Sequence, residues 1–246
     1  YSSAASDVYK RQPYNYFHFL YDFVIPLFIE KQVNPELKVY LPFTPAPWQL
    51  EWLSLIGQDD ITHAKMNGNF AADSLVGMRS FLGARSDSSR ERAFYSFREF
   101  LQTSLSFYSP KTSEESIYVF RKRSATGRNL TNQQELFSAL SNLGFHGVDL
   151  DRLTVMEQLA VFRNAKVIVS PHDAALSNLI AAQNGSRVIE LLPVQESGVF
   201  DMYKTISKLA RLDYKCVLPI EGSSYEFGAD FRVLVSDVTG LPVSYT

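Results

Sequence analysis

The stretch Asn164 to Pro193, NAKVIVSPHDAALSNLIAAQNGSRVIELLP, constrains this chain more than any other. An apolar run, Val167-Ile168-Val169, leads into a polar turn, Ser170-Pro171-His172-Asp173. An Ala/Leu-rich segment follows, then Gly185 and a second apolar run, Val188 to Leu192. Strand, turn, helix and strand in that order make a βαβ unit. Its turn falls at the carboxyl end of a buried parallel strand and opens a helix. Open α/β sheets bind ligands at that edge, and the free N–H groups of a helix start attract phosphate. The turn is therefore read as one side of an active site. A plainer account stands beside this one, in which Ser170 or Asp173 only caps the helix and His172 is an ordinary surface residue.

Charge narrows the partners. With 246 residues, 46% hydrophobic, the chain is large enough for one large core or two smaller ones. A net charge of −2 gives no electrostatic basis for nucleic acid or for a polybasic membrane patch. The one basic run, Arg121-Lys122-Arg123, is too short for either. A single cysteine, Cys216, excludes an intrachain disulfide and a multi-cysteine zinc site. Nothing after Pro13 supplies the roughly 20 uninterrupted apolar residues of a spanning helix, so membrane association is expected only through an anchor upstream. Ser2 to Gln12, SSAASDVYKRQ, resembles the translation of a sequencing-adapter oligonucleotide and is read as a non-native leader, residues 1–12.

The remaining pattern alternates β and α, which predicts a layered α/β protein. Tyr14 to Glu30 is almost continuously aromatic and aliphatic and reads as a buried helix kinked or ended near Pro26. Lys38 to Leu41 reads as a strand and Trp48 to Ile56 as a helix ended by Gly57; Ile61 to Lys65 and Ser74 to Met78 are weaker strands. A helix is predicted from about Glu91 to Phe107, with Phe94, Phe97, Leu101 and Leu105 along one side. Ser109 to Ser116 has linker composition, so the chain divides into a partial first domain, 13–112, and a second, 113–246. In the second, strand Ile117 to Phe120 precedes a helix capped by Thr131, and Gly144 leads to strand Phe145 to Val148. Thr154 and Glu157 form a capping box for the next helix. After Pro193 come a helix, Val199 to Leu212, and a strand, Tyr214 to Leu218; the tail from Glu221 has no assigned element.

Several side chains could carry chemistry. Arg121, Lys122, Arg123 and Arg128 follow a strand and share its carboxyl edge with the Ser170 turn. Guanidinium forks and helix N–H groups could there converge on one diphosphate, although a solvated basic loop explains the same residues. His18 and Asp22 stand one helical turn apart, an imidazole with a carboxylate able to orient it, and so are candidates for a general base or for a hydrogen-bonded core pair. Glu190 ends an apolar strand, where a buried carboxylate needs a partner; a ribose diol or a nearby arginine would serve. His63 and His146 have no companions and are read as structural or exposed.

These pieces together resemble one family. N-Y-F-H-F-L-Y-D (Asn15 to Asp22), I-Y-V-F-R-K-R (Ile117 to Arg123), N-L-T-N-Q-Q-E-L (Asn129 to Leu136), the run Leu153 to Leu179 and G-S-R-V-I-E-L-L-P (Gly185 to Pro193) are similar, in order and spacing, to glycosyltransferase family 61. That family includes plant β-1,2-xylosyltransferases, xylan arabinosyl- and xylosyltransferases, secretory-pathway protein O-GlcNAc transferases and many microbial members. The resemblance implies an α/β fold of GT-B type, two Rossmann-like doubly wound domains across a cleft, the first incomplete here. It also implies inverting transfer of a sugar, a pentose or an N-acetylhexosamine, from a nucleotide sugar, UDP-linked, to a glycan or glycoprotein hydroxyl. No resident cofactor and no obligatory metal are implied. By position, Arg121, Arg123, Glu157, Ser170, His172, Ser177, Asn178 and Glu190 fall in donor-side motifs, and His18 and Asp22 face the acceptor. Compartment follows the setting: cytoplasm in a microbe, Golgi or ER lumen in a eukaryote.

One departure matters. The family glycine after the histidine is Asp173 and the next is Ala175, so a carboxylate stands beside the expected diphosphate pocket. It either turns outward as a cap or alters donor binding. The rival reading is accordingly a catalytically degenerate relative that binds glycan or scaffolds a partner. A metallohydrolase built from His18, Asp22, His172 and Asp173 is the weakest option, because it lacks a compact ligand motif.

Overall fold

The computed structural model describes residues 14–41, 43–63, 88–108, 114–125, 127–194, 201–220 and 229–241. The chain forms two compact units, Tyr1–Phe100 and Leu101–Thr246.

In the first unit the aromatic stretch is helical. α1 (Tyr16–Phe19) passes through a π-turn (Leu20–Val24) into α2 (Ile25–Val33). Asn15 caps the start, accepting from the His18 N–H at 3.3 Å. The helix neither ends nor breaks at Pro26. Proline lacks an N–H and crowds the preceding turn, and the widened π-turn directly ahead of it relieves both problems. Phe17, Leu20, Tyr21, Val24 and Ile25 are buried. Trp52 from α3 (Pro47–Leu55) and Phe94 and Phe97 from α4 (Ser88–Ser106) complete this core, with Phe28 edge-on to Phe97 at 5.2 Å between centroids. Gly57, at φ +71°, ends α3 as expected. β1 (Val39–Leu41) pairs in parallel with β2 (Ile61–His63). The strand expected at Ser74 to Met78 lies outside the described residues.

The second unit is a five-stranded, all-parallel sheet. Its strands are β3 (Ser116–Val119), β4 (His146–Val148), β5 (Val167–Pro171), β6 (Arg187–Leu191) and β7 (Asp213–Val217), in the order β4-β3-β5-β6-β7. The order reverses between β3 and β5, the arrangement of a doubly wound sheet with its switch point there. Val167, Ile168, Val169, Val188 and Ile189 are all fully buried. Consecutive buried residues mean that both faces of the sheet are covered.

The opening stretch is βαβ-like in topology, with β5 and β6 adjacent and parallel, but differs in detail. β5 continues through Pro171, and the His172 N–H still donates to the Leu191 carbonyl at 2.9 Å, so the turn begins at Asp173. Pro171 is tolerated because β5 outruns β3 there; their register stops at Val169. The link is a 3₁₀ helix (Ala174–Ala181), not an α-helix.

α6 (Val155–Asn164) starts with the expected capping box, Thr154 N–H donating to Glu157 at 2.9 Å and Glu157 N–H to Thr154 Oγ1 at 3.3 Å. α5 (Gln133–Ser141) does not use Thr131 as its cap. Thr131 Oγ1 instead donates to the Phe231 carbonyl at 3.1 Å, and Asn132, the residue at the cap position, gives its amide to Val233 at 2.9 Å. The tail competes for these groups: Phe231 bridges Leu130, and α8 (Val235–Thr239) buries Val238. α7 (Met202–Leu209) precedes β7. Among the described residues no helix is long and apolar enough to cross a membrane.

β4 depends on a missing side chain. A Cβ at Gly147 would lie 2.4 Å from the Phe120 ring and 2.8 Å from that of Phe137. Gly147→Ala is therefore expected to destabilise the protein by about 1–3 kcal/mol through overpacking, read as a lower midpoint in urea with unchanged slope.

Candidate active site

Arg121 leaves the carboxyl end of β3 at the switch point. Its backbone is clamped by Gln133, which accepts from the Arg121 N–H at 3.0 Å and donates to its carbonyl at 3.1 Å. The side chain, 7% exposed, crosses to the end of β5, where Nη1 donates to the His172 carbonyl at 2.5 Å and meets Asp173 Oδ2 at 3.0 Å. Its Nε is buried and has no partner among the described residues. A pocket of about 380 Å³ adjoins it, lined by Arg121, Arg123, Asn129, Leu130, Thr131, Gln133 and Asp230. The basic loop and the turn thus meet, as their shared sheet edge suggests.

Charge around this point is mixed. Asp173 caps the 3₁₀ helix, accepting from the Ala175 N–H at 3.3 Å through one oxygen, and holds Arg121 through the other. Asp173 is thus a cap, as one reading of the sequence has it, and an ion-pair partner of Arg121 as well. Arg128 is half-buried in left-handed backbone (φ 60°). Burial and then the Arg121 charge lower its pKa, while Asp173 and Tyr203 oppose the shift. Lys122 turns to Asp151 at 2.6 Å. Asp230, from the tail, accepts from the backbone and side-chain N–H groups of Asn129 at 3.0 and 2.7 Å, which lower its pKa.

Behind the turn lies a buried polar array. His172 Nδ1 is hydrogen-bonded to Glu190 Oε1, and Tyr214 donates to Glu190 Oε2 at 2.6 Å. His172 and Glu190 are both buried, and the Tyr203 ring lies 5.2 Å from the imidazole. Burial and then the Glu190 charge push the Tyr214 phenol up, so it remains a donor. The carboxylate expected to meet a ribose or an arginine is thus bonded at each oxygen to His172 and Tyr214.

The other donor-side candidates make local bonds. Ser170 Oγ donates to the Pro171 carbonyl at 2.9 Å, and Glu157 serves the α6 cap. Asn178 Nδ2 reaches Ala175 O and Gln158 Oε1, both at 3.2 Å, tying the 3₁₀ helix to α6, and Ser177 is buried beside it. In the first unit, His18 Nδ1 lies 2.7 Å from Asp22 Oδ2, and the imidazole is 36% exposed. Tyr203, Tyr214 and Asp230 escaped sequence reasoning. The sole hint of Tyr214 was a phenol on the strand following a carboxylate-bearing one, a signal too common to single out. Among the described residues no three His, Cys, Asp or Glu side chains gather around a metal-sized space.

A doubly wound parallel sheet with a basic pocket at its switch point fits an α/β glycosyltransferase. The family model for Glycosyltransferase 61 matches residues 16–189, and the chain belongs to that family. A comparison with curated proteins found no match. The matched span holds His18, Asp22, Arg121 and His172 and ends before Glu190, Tyr203, Tyr214 and Asp230.

Proposed function

We propose that this protein is an inverting glycosyltransferase of GT-B architecture, with a nucleotide sugar, UDP-linked, as donor and a glycan or protein hydroxyl as acceptor. The observation that carries the reading is Arg121, a buried guanidinium at the switch point that touches the His172 turn and lines the adjoining pocket. A diphosphate there would meet Arg121 and Arg123, with Arg128 and His172 close by. The acceptor oxygen attacks the anomeric carbon and its proton passes to the base, His18 or Asp22. The bond from the sugar to the diphosphate breaks with its electron pair on the departing oxygen, where the arginines stabilise the developing charge. The reading assigns no resident cofactor. Ser170, Glu157 and Asn178 act in it by shaping the turn and the elements beside it. The transferred sugar is a pentose or an N-acetylhexosamine in this reading.

Calorimetry of the whole chain against UDP, GDP and UDP-sugars tests it. UDP and at least one UDP-sugar are expected to bind; a folded protein that binds no nucleotide would overturn the reading. In the same titrations Asp173→Asn is expected to tighten UDP by about two- to fivefold. The ion pair that competes with phosphate is 33% exposed at Asp173, so screening keeps the effect modest.

A further inference from the structure

The Glu190–Tyr214 pair is not used by a simple diphosphate clamp, yet its carboxylate is fully buried. A carboxylate with no exposed surface is expensive unless each oxygen is hydrogen-bonded, and here each is, one to an imidazole and one to a phenol. The three side chains come from the end of β5 (His172), from β6 (Glu190) and from β7 (Tyr214). The Glu190 carboxylate can only accept, so His172 Nδ1 must be the donor. That bond fixes both the ring orientation and the tautomer, and any proton that comes or goes does so at Nε2.

We propose that Glu190, itself oriented by Tyr214, is a positioning residue: it holds His172 in the Nδ1–H form so that Nε2 serves the diphosphate side of the turn. This rests on the donor-site reading above. Among the described residues, the groups around the imidazole include Glu190 on β6, Tyr214 behind it on β7, Tyr203 on α7, Arg121 on the His172 carbonyl, and Asp173 and Arg128 beside Arg121. Tyr214 tunes the array by sharing the carboxylate: its phenol draws charge from Glu190 and weakens the pull on the His172 proton.

The test is nitrogen-15 NMR of histidine-labelled protein, in which His172→Asn assigns one of four histidines. The wild type is expected to show a protonated His172 Nδ1 with a strongly downfield, slowly exchanging proton. Glu190→Gln should lose that downfield position, whereas Tyr214→Phe should keep the proton and move it further downfield, a change that a merely space-filling role would not produce. Tyr214→Phe also decides the matter if Glu190→Gln fails to fold. UDP is expected to shift Nε2 in the wild type and to bind Glu190→Gln about tenfold more weakly, with Tyr214→Phe closer to wild type. An unprotonated Nδ1, or a downfield proton indifferent to both substitutions, overturns the inference. UDP that binds without moving Nε2 also overturns it while leaving the donor site standing. Failure of UDP to bind at all sinks the donor site, and the Nδ1 signal still decides whether Glu190 sets the tautomer.

Discussion

Arg121→Ala is expected to reduce kcat/KM for sugar transfer by about 10²–10³-fold and to weaken UDP binding measurably. The size follows from where the guanidinium sits. Only 7% exposed, it acts at a sheet edge where water screens little, and its Nε has no partner among the described residues, leaving a buried donor that an anion could satisfy. In the proposed transfer, charge would develop on the departing diphosphate as its bond to the sugar breaks, so the contact would strengthen toward the transition state and its loss would fall on kcat as well as on binding. The same side chain also joins the His172 carbonyl to Asp173, and alanine would leave both less well held. Arg121→Lys separates the two roles. It keeps the charge but loses the planar fork, and it is expected to retain folding while recovering only part of the activity. Steady-state rates with whichever UDP-sugar the wild type turns over, together with UDP calorimetry, make the comparison. Wild-type UDP affinity in Arg121→Ala would remove this residue from the donor site.

Much of the second unit was legible because its signals are local. Two apolar runs around a turn give parallel β5 and β6, and Thr154 with Glu157 gives the start of α6, since capping chemistry acts within one turn. The meeting of the Arg121 loop with the His172 turn was legible for a topological reason: in a parallel sheet the loops after adjacent strands open on one edge. What escaped depends on partners distant in sequence. Thr131 looked like a cap, yet Phe231, one hundred residues on, takes its hydroxyl. Pro171 looked like a turn residue, but strand pairing continues past it because β3 has ended. Pro26 reads as a kink or a helix end, and the π-turn just ahead of it carries the helix through. A buried Glu190 needs partners, and finding His172 and Tyr214 in that place required the order of β5, β6 and β7. Asp173 was legible as a cap, whereas its hold on Arg121 depends on the loop after β3 reaching the end of β5.

His18→Ala is expected to lower kcat by about 10²–10⁴-fold while leaving UDP affinity at the wild-type value. General-base assistance acts on the acceptor hydroxyl as its proton leaves, so removal of the base falls on the chemical step rather than on donor binding. His18 lies 2.7 Å from Asp22 and its imidazole is 36% exposed, so the ring is open to solvent, as a base acting on an acceptor would need to be. The same exposure predicts a stability change within about 1 kcal/mol, so lost activity would not reflect lost folding. Asp22→Asn identifies which member takes the proton. If His18 is the base, the asparagine oxygen can still accept from Nδ1–H, and kcat falls less than in His18→Ala. If Asp22 is the base, Asp22→Asn is the more damaging of the two. Added imidazole should restore part of the His18→Ala rate in the first case and none in the second, because a diffusing base can replace a missing imidazole but cannot supply a carboxylate fixed on the helix. Full kcat in both variants would take the base away from this helix altogether.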